Sequence, residues 1–158
     1  MIFLNSSIFL SVLLETEKAD ECEGILKKIE MDELKAVTTT HVLEETVFKL
    51  LIAKASEISG TKNLWEIRER LKRCEKTRNE CYITLSRFID YIKTLCFGGL
   101  RIMHTSQEDI FNIPSVFKET GLLTADCLHI ATMKRLSLKK IATLDRDFKM
   151  LKGLVTIP

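Results

Sequence analysis

Several things are missing from this 158-residue sequence, and each absence removes a class of protein. The longest apolar run, Ile8 to Leu14, is already broken by Ser11, far short of the roughly 18 residues a membrane-spanning helix needs. No basic residue precedes Lys18, and no Ala-x-Ala-like site follows the opening apolar stretch, so neither a secretory signal nor a membrane location is expected. The five cysteines (22, 74, 81, 96 and 127) are odd in number and lack Cys-x-x-Cys spacing, which fits neither a disulfide scaffold nor a zinc site. Reduced core thiols in a cytoplasmic protein are the expectation. The three histidines show no His-x-x-x-His spacing, and there is no Gly-rich loop of the phosphate-cradling kind. A net charge of +2 gives no strong field toward nucleic acid or membrane, although a local basic face can still stand beside an acidic pocket.

What is present describes one folded domain over residues 1–158. Hydrophobic residues make up 46% and charged residues 29%, an ordinary balance for a chain long enough to bury a core. Short β-type runs alternate with longer helical ones. Ile2 to Leu4 reads as a strand, followed by a helix capped by Ser6 or Ser7 and running to about Glu17. A helix over Ala19 to Glu30 precedes a strand at 35–39, and Thr40 is the expected cap of a helix from His41 to Ser59, stopped by Gly60. Residues 61–97 contain no glycine or proline and are read as two helices breaking near Thr77-Arg78-Asn79. Strands at 100–104, 139–143 and 154–157 enclose helices at about 106–119 and 124–137. Strands separated by helices imply a three-layer α/β/α sandwich around a mostly parallel sheet, with strand one central. Ligands of such sheets sit beyond the carboxyl ends of the strands.

Oxygen ligands stand at those ends. Asn5-Ser6-Ser7 follows the first strand. Glu44 and Glu45 lie in the first turns after the second, in "THVLEET". Asp126 opens the helix of "LLTADCLHIATM", which Thr124 is expected to cap, and Asp145 and Asp147 follow the fourth strand in "ATLDRDF". Each has an innocent explanation, because an acidic residue in a first helical turn is favoured by the helix dipole. Their shared edge is what that explanation leaves over. Clustered carboxylates repel and raise one another's pKa unless a cation sits among them. Hard oxygen donors without sulfur suit Mg²⁺ or Mn²⁺, ions able to activate water at a phosphodiester.

The same stretches resemble the motifs of the PIN domain, the nuclease fold of VapC-type toxins and several RNA-processing proteins. "LNSS" is similar to that family's strand followed by Asp-Thr/Ser-Ser, and "HVLEET" to its helix with the second acidic residue, in the register of Glu45. "LLTADCLHIATM" is similar to the third motif through Asp126, Ala131 and Thr132, and "ATLDRDF" to Thr-x-Asp-x-x-Phe through Thr143, Asp145 and Phe148. The resemblance covers residues 2 to about 157. It implies dependence on Mg²⁺ or Mn²⁺, cleavage of single-stranded RNA, and ligands Asn5, Glu45, Asp126 and Asp145 with Asp147 in reserve. A toxin would also have a small antitoxin partner. The family places aspartate where this chain has Asn5, and an amide brings neither charge nor basicity.

Other features receive plainer readings. The charged run 64–80 reads as a solvated helix face laced with i,i+4 pairs, the rival reading being a phosphate-tracking surface. His129, one turn after Asp126, reads as a packed helix-face residue rather than a ligand, and Ser7 as a cap or an orienter of residue 5. Phe48, Trp65, Phe88, Tyr91 and Phe97 suggest surplus apolar area and hence a homodimer. Two functions follow: a metal-dependent endoribonuclease, with activity reduced by Asn5, and an inactive PIN-like module that holds RNA or protein.

Overall fold

The computed structural model describes all 158 residues. Five parallel strands, β1 (Ile2–Leu4), β2 (Ala36–Thr39), β3 (Leu100–Met103), β4 (Lys140–Ala142) and β5 (Val155–Ile157), lie in the order β3-β2-β1-β4-β5. β1 is central, with Ile2 opposite Ala36 and Phe3 opposite Ile141. It is buried throughout, as an inner parallel strand covered on both faces must be, which explains why it reads as an unbroken apolar run.

The connections are helical: α1 (Ser6–Leu13), α2 (Ala19–Glu30), α3 (Thr40–Ser59), α4 (Leu64–Arg73), α5 (Glu75–Phe97), α6 (Gln107–Phe111), α7 (Ile113–Thr120) and α8 (Thr124–Arg135), with a 3₁₀ turn at Asp147–Met150. α1, α2, α3 and α5 pack on one another, while α6 and α7 pack on α8. Phe3, Leu4, Ile8, Phe9, Leu26 and Phe88 are among the side chains of the one large core. No helix is long and apolar enough to cross a membrane.

The boundaries depart from expectation at definite places. The 61–97 stretch breaks at Cys74, three residues early, because Arg78 reaches back to donate to the Leu71 and Lys72 carbonyls at 3.0 and 2.9 Å and closes the end of α4. Thr39, rather than Thr40, caps α3 by accepting from the Val42 N–H at 3.2 Å. α1 ends at Leu13, not Glu17, and its cap is Asn5 rather than Ser6 or Ser7. α8 starts at Thr124 with Leu123 as its uncapped N-cap, so Thr124 does not serve that role. The 106–119 helix is two, parted at Asn112 just ahead of Pro114. Gly98 and Gly99 are required by close approach: a Cβ at either would stand 2.4 or 2.3 Å from a backbone carbonyl oxygen, of Glu30 or Leu34.

All five cysteines are free, with Cys22, Cys81 and Cys127 buried, Cys74 half-buried and Cys96 exposed, so two of them lie outside the core. Phe88 belongs to the core and Tyr91 packs against it, which leaves Phe48, Trp65 and Phe97 as the exposed aromatics of the five considered for an interface. The charged run largely solvates itself, with Glu69 pairing to Lys72 and Arg73.

Candidate metal centre

The carboxyl ends of β1, β2 and β4 converge on one edge of the sheet, and each delivers part of the candidate site. Asn5 leaves β1 in extended backbone and is buried. Its Oδ1 accepts from the Ser6 N–H at 2.7 Å and lies 3.4 Å from the Ser6 hydroxyl donor. Its Nδ2 donates to Thr143 Oγ1 at 3.0 Å. A backbone N–H can only be received by oxygen, so the cap fixes which way the amide points.

Thr143, fully buried just past β4, is the junction of this corner. Its hydroxyl also accepts from the Asp145 N–H at 3.1 Å and lies 3.3 Å from Ser7 Oγ, which in turn accepts from the Leu144 N–H at 3.0 Å. Asp145 Oδ1 then accepts from the Asp147 N–H at 2.9 Å, starting the 3₁₀ turn. Asp147 itself is exposed.

Glu45 stands half-buried in the second turn of α3, whereas Glu44 is exposed and lies near His41 instead. Lys49 donates to Glu45 Oε1 at 2.5 Å, and His129 Nε2 is 3.9 Å from Oε2, longer than a hydrogen bond. The imidazole of His129 is the largest influence holding the Glu45 carboxyl down to about 2; burial opposes it, and Lys49 and Ser6 add to it. His129 is buried between Phe3 and His41, with ring centroids 5.6 and 5.7 Å away. It packs, as expected of it, and it also faces an acid.

Asp126, in the first turn of α8, behaves oppositely. Burial pushes its carboxyl up, His129 partly counters this, and the negative charges of Asp145, Glu45 and Asp147 push it further. No hydrogen bond or ion pair satisfies it. Asp126 thus senses the same acids singled out along the sequence. As the side chains stand, no three of the His, Cys, Asp or Glu groups are gathered closely enough to hold an ion. The donor set is nonetheless all oxygen, with excess negative charge and no sulfur ligand, a chemistry that suits a hard divalent cation.

One buried acid outside this cluster escapes sequence reasoning. Asp109, fully buried in α6, accepts from Arg135 Nε at 2.8 Å and Nη2 at 2.9 Å, from Thr132 Oγ1 at 3.1 Å and from the Ser106 N–H at 2.9 Å. Ser106 returns a capping-box bond to the Asp109 N–H. Burial pushes this carboxyl up, but Arg135, Ser106 and Thr132 outweigh it and leave it below its ordinary value. The Ser-x-x-Asp spacing was a legible signal for the cap. The pairing with Arg135 had none.

Comparison with known proteins agrees with this fold. The chain is 28% identical to ribonuclease VapC6 of Methanocaldococcus jannaschii over 148 residues, covering 94% of this chain and 90% of that one. Among solved structures, its fold is similar to VapC20 of Mycobacterium tuberculosis, a sarcin-ricin-loop-cleaving toxin, at a TM-score of 0.62 and 13% identity with 100% of both chains covered. It is also similar to a chain of a toxin-antitoxin complex from Klebsiella pneumoniae, at 0.59 and 15% identity with 99% and 97% covered. The family model for the PIN domain matches residues 2–154. Five parallel strands in this order, acids at their carboxyl edge and that match over nearly the whole chain lead to one assignment: the protein belongs to the PIN domain family.

Proposed function

We propose that this chain, as one domain over residues 1–158, is a divalent-metal-dependent endoribonuclease acting on single-stranded RNA. Glu45, Asp126 and Asp145 would hold Mg²⁺ or Mn²⁺, with Asp147 in reserve. When bound, such an ion supplies activation of water and charge neutralisation at the scissile phosphate. The observation that carries this reading is Asp126, a half-buried carboxylate with no partner, pushed upward first by its burial and then by three other acids from two separate segments. A folded protein has little reason to keep such a group except to give it a cation. Glu45, held ionised well below neutral pH, adds negative charge to the site.

The similarity to ribonuclease VapC6 supports the RNA substrate, and the similarity to chains from toxin-antitoxin complexes supports a small antitoxin partner and a cytoplasmic setting. The exposed Trp65 and Phe97 support a homodimer, which light scattering would test against a monomer mass near 18.1 kDa. With an amide at position 5, activity is expected to be weak. Cleavage of a fluorescent single-stranded RNA in Mn²⁺ tests this: Asn5→Asp gains rate over the present chain, and Asp126→Asn abolishes it.

A second reading rests on one specific observation. Both polar atoms of the Asn5 side chain are engaged within the protein, as suits an inactive module that holds RNA or protein. No cleavage by either chain, with RNA or partner binding retained, would favour it.

A further inference from the structure

The hydroxyl and amide groups at the β1–α1 junction do more than start a helix. We propose that Asn5 is a positioning residue and not a metal ligand: with Ser7, and through Thr143, it fixes the Thr143–Leu144–Asp145 turn, so that the cation site is carried by Glu45, Asp126 and Asp145 alone. The second half of this inference rests on the reading of Asp145 as a ligand; the first half stands on geometry alone.

A proton inventory carries it. An amide oxygen has two acceptor sites. At Asn5 the Ser6 N–H takes one at 2.7 Å, while the Ser6 hydroxyl, 3.4 Å away, has one proton to share between Asn5 and Glu45. Nδ2 can only donate, and it does so to Thr143 Oγ1 at 3.0 Å. That hydroxyl also receives the Asp145 N–H, which fills its acceptor sites and leaves its single proton for Ser7 Oγ, 3.3 Å away. Ser7 Oγ receives the Leu144 N–H as well. Two consecutive backbone N–H groups of the turn are thus held by side chains, one by Thr143 under the grip of Asn5 and the other by Ser7. The turn is held by protein groups, and the amide oxygen is already committed to the Ser6 N–H that fixes its direction.

The same inventory says what aspartate would do here. A carboxylate at position 5 cannot donate, so Thr143 would turn its proton toward it, and Ser7 would turn its own proton toward Thr143. Both backbone N–H groups keep their acceptors. Aspartate therefore preserves the clamp with its polarity reversed, whereas leucine abolishes its first link.

Hydrogen exchange at the Leu144 and Asp145 amides, read by NMR, tests the clamp in the metal-free protein. Asn5→Leu and Thr143→Val are expected to speed exchange at Asp145 tenfold or more, and Ser7→Ala to do so at Leu144. Asn5→Asp and Thr143→Ser should stay near the parent rate. Mn²⁺ titration of the same set supplies the second readout. Affinity should fall in Ser7→Ala and Asn5→Leu, with Thr143→Ser restoring what Thr143→Val loses. Unchanged exchange in Asn5→Leu and Thr143→Val overturns the proposal. If Mn²⁺ affinity nevertheless falls in Asn5→Leu, Asn5 is a ligand after all. Should Asn5→Leu fail to fold, the Thr143→Val and Thr143→Ser pair and Ser7→Ala decide on their own. A parent chain that binds no Mn²⁺ counts against the nuclease reading, while the exchange data still judge the clamp.

Discussion

Asp109 and Asp126 both stand in the first turn of a helix on the same side of the molecule, and their surroundings could hardly differ more. Asp109 is fully buried and fully satisfied: a bidentate arginine, a threonine hydroxyl and a backbone N–H occupy its oxygens. Asp126 is half-buried and has no hydrogen-bond or ion-pair partner, and its burial first, then three other acids, raise its proton affinity. The first is an internal fastener joining α6 to α8. The second is the acid proposed as a metal ligand. Burial alone does not separate structural acids from functional ones; the missing counter-charge does.

Breaking the fastener should have the largest effect on stability. Asp109→Ala leaves Arg135 with an unpaired guanidinium, and removing one partner of a buried pair costs about 3–5 kcal/mol. Arg135 keeps some solvent contact, so the lower figure is expected, a fall of roughly 6–12 °C in Tm by calorimetry. The Asp109 carboxyl is held below its ordinary value in the folded state, so its contribution is present above the unfolded value of about 4. It is lost as pH falls through the lower folded value, and acid denaturation of Asp109→Ala should lack that component.

Asp126→Asn should do the reverse. The folded state raises this carboxyl's pKa, so its ionisation destabilises the protein increasingly as pH rises from the unfolded value through the folded one. Removing the charge should leave stability unchanged or raise it by up to about 1 kcal/mol at neutral pH without divalent ions, by urea unfolding. A loss comparable to that of Asp109→Ala would erase the contrast between the two acids.

Glu45 sharpens the contrast from a third side, because it is neither fully buried nor unpartnered. Its carboxyl sits at about 2, held first by His129 and then by Lys49. In His129→Leu the Glu45 carbon resonance should titrate closer to the ordinary glutamate value of about 4.3. The stability that Glu45 contributes is present above that value and lost as pH falls toward 2. Partial exposure keeps this the smallest of the three effects.

These acids also mark how far the sequence could be read. β1, α2 and the central place of β1 were legible because continuous apolar runs and helical periodicity are local properties. Asn5, Glu45, Asp126 and Asp145 were legible as residues at strand ends, since parallel topology sends those ends to one edge. Asp109 was not, because its meaning depends on Arg135, 26 residues away on another helix. The break at Cys74 escaped for a similar reason: the capping group is the Arg78 side chain, folding back over residues it follows. The role of Asn5 was half-visible. The family resemblance marked the missing charge, but only the bonds to Ser6 and Thr143 identify what the amide does instead.

The central claim is the proposal that Asp126, with Glu45 and Asp145 beside it at the carboxyl edge, binds a divalent cation. Calorimetric titration of Mn²⁺ into the present chain, Asn5→Asp and Asp126→Asn tests it most directly. The account predicts weak binding by the present chain, at least tenfold tighter binding by Asn5→Asp, equivalent to about 1.4 kcal/mol, and none detectable in Asp126→Asn. Equal heats from all three would contradict it.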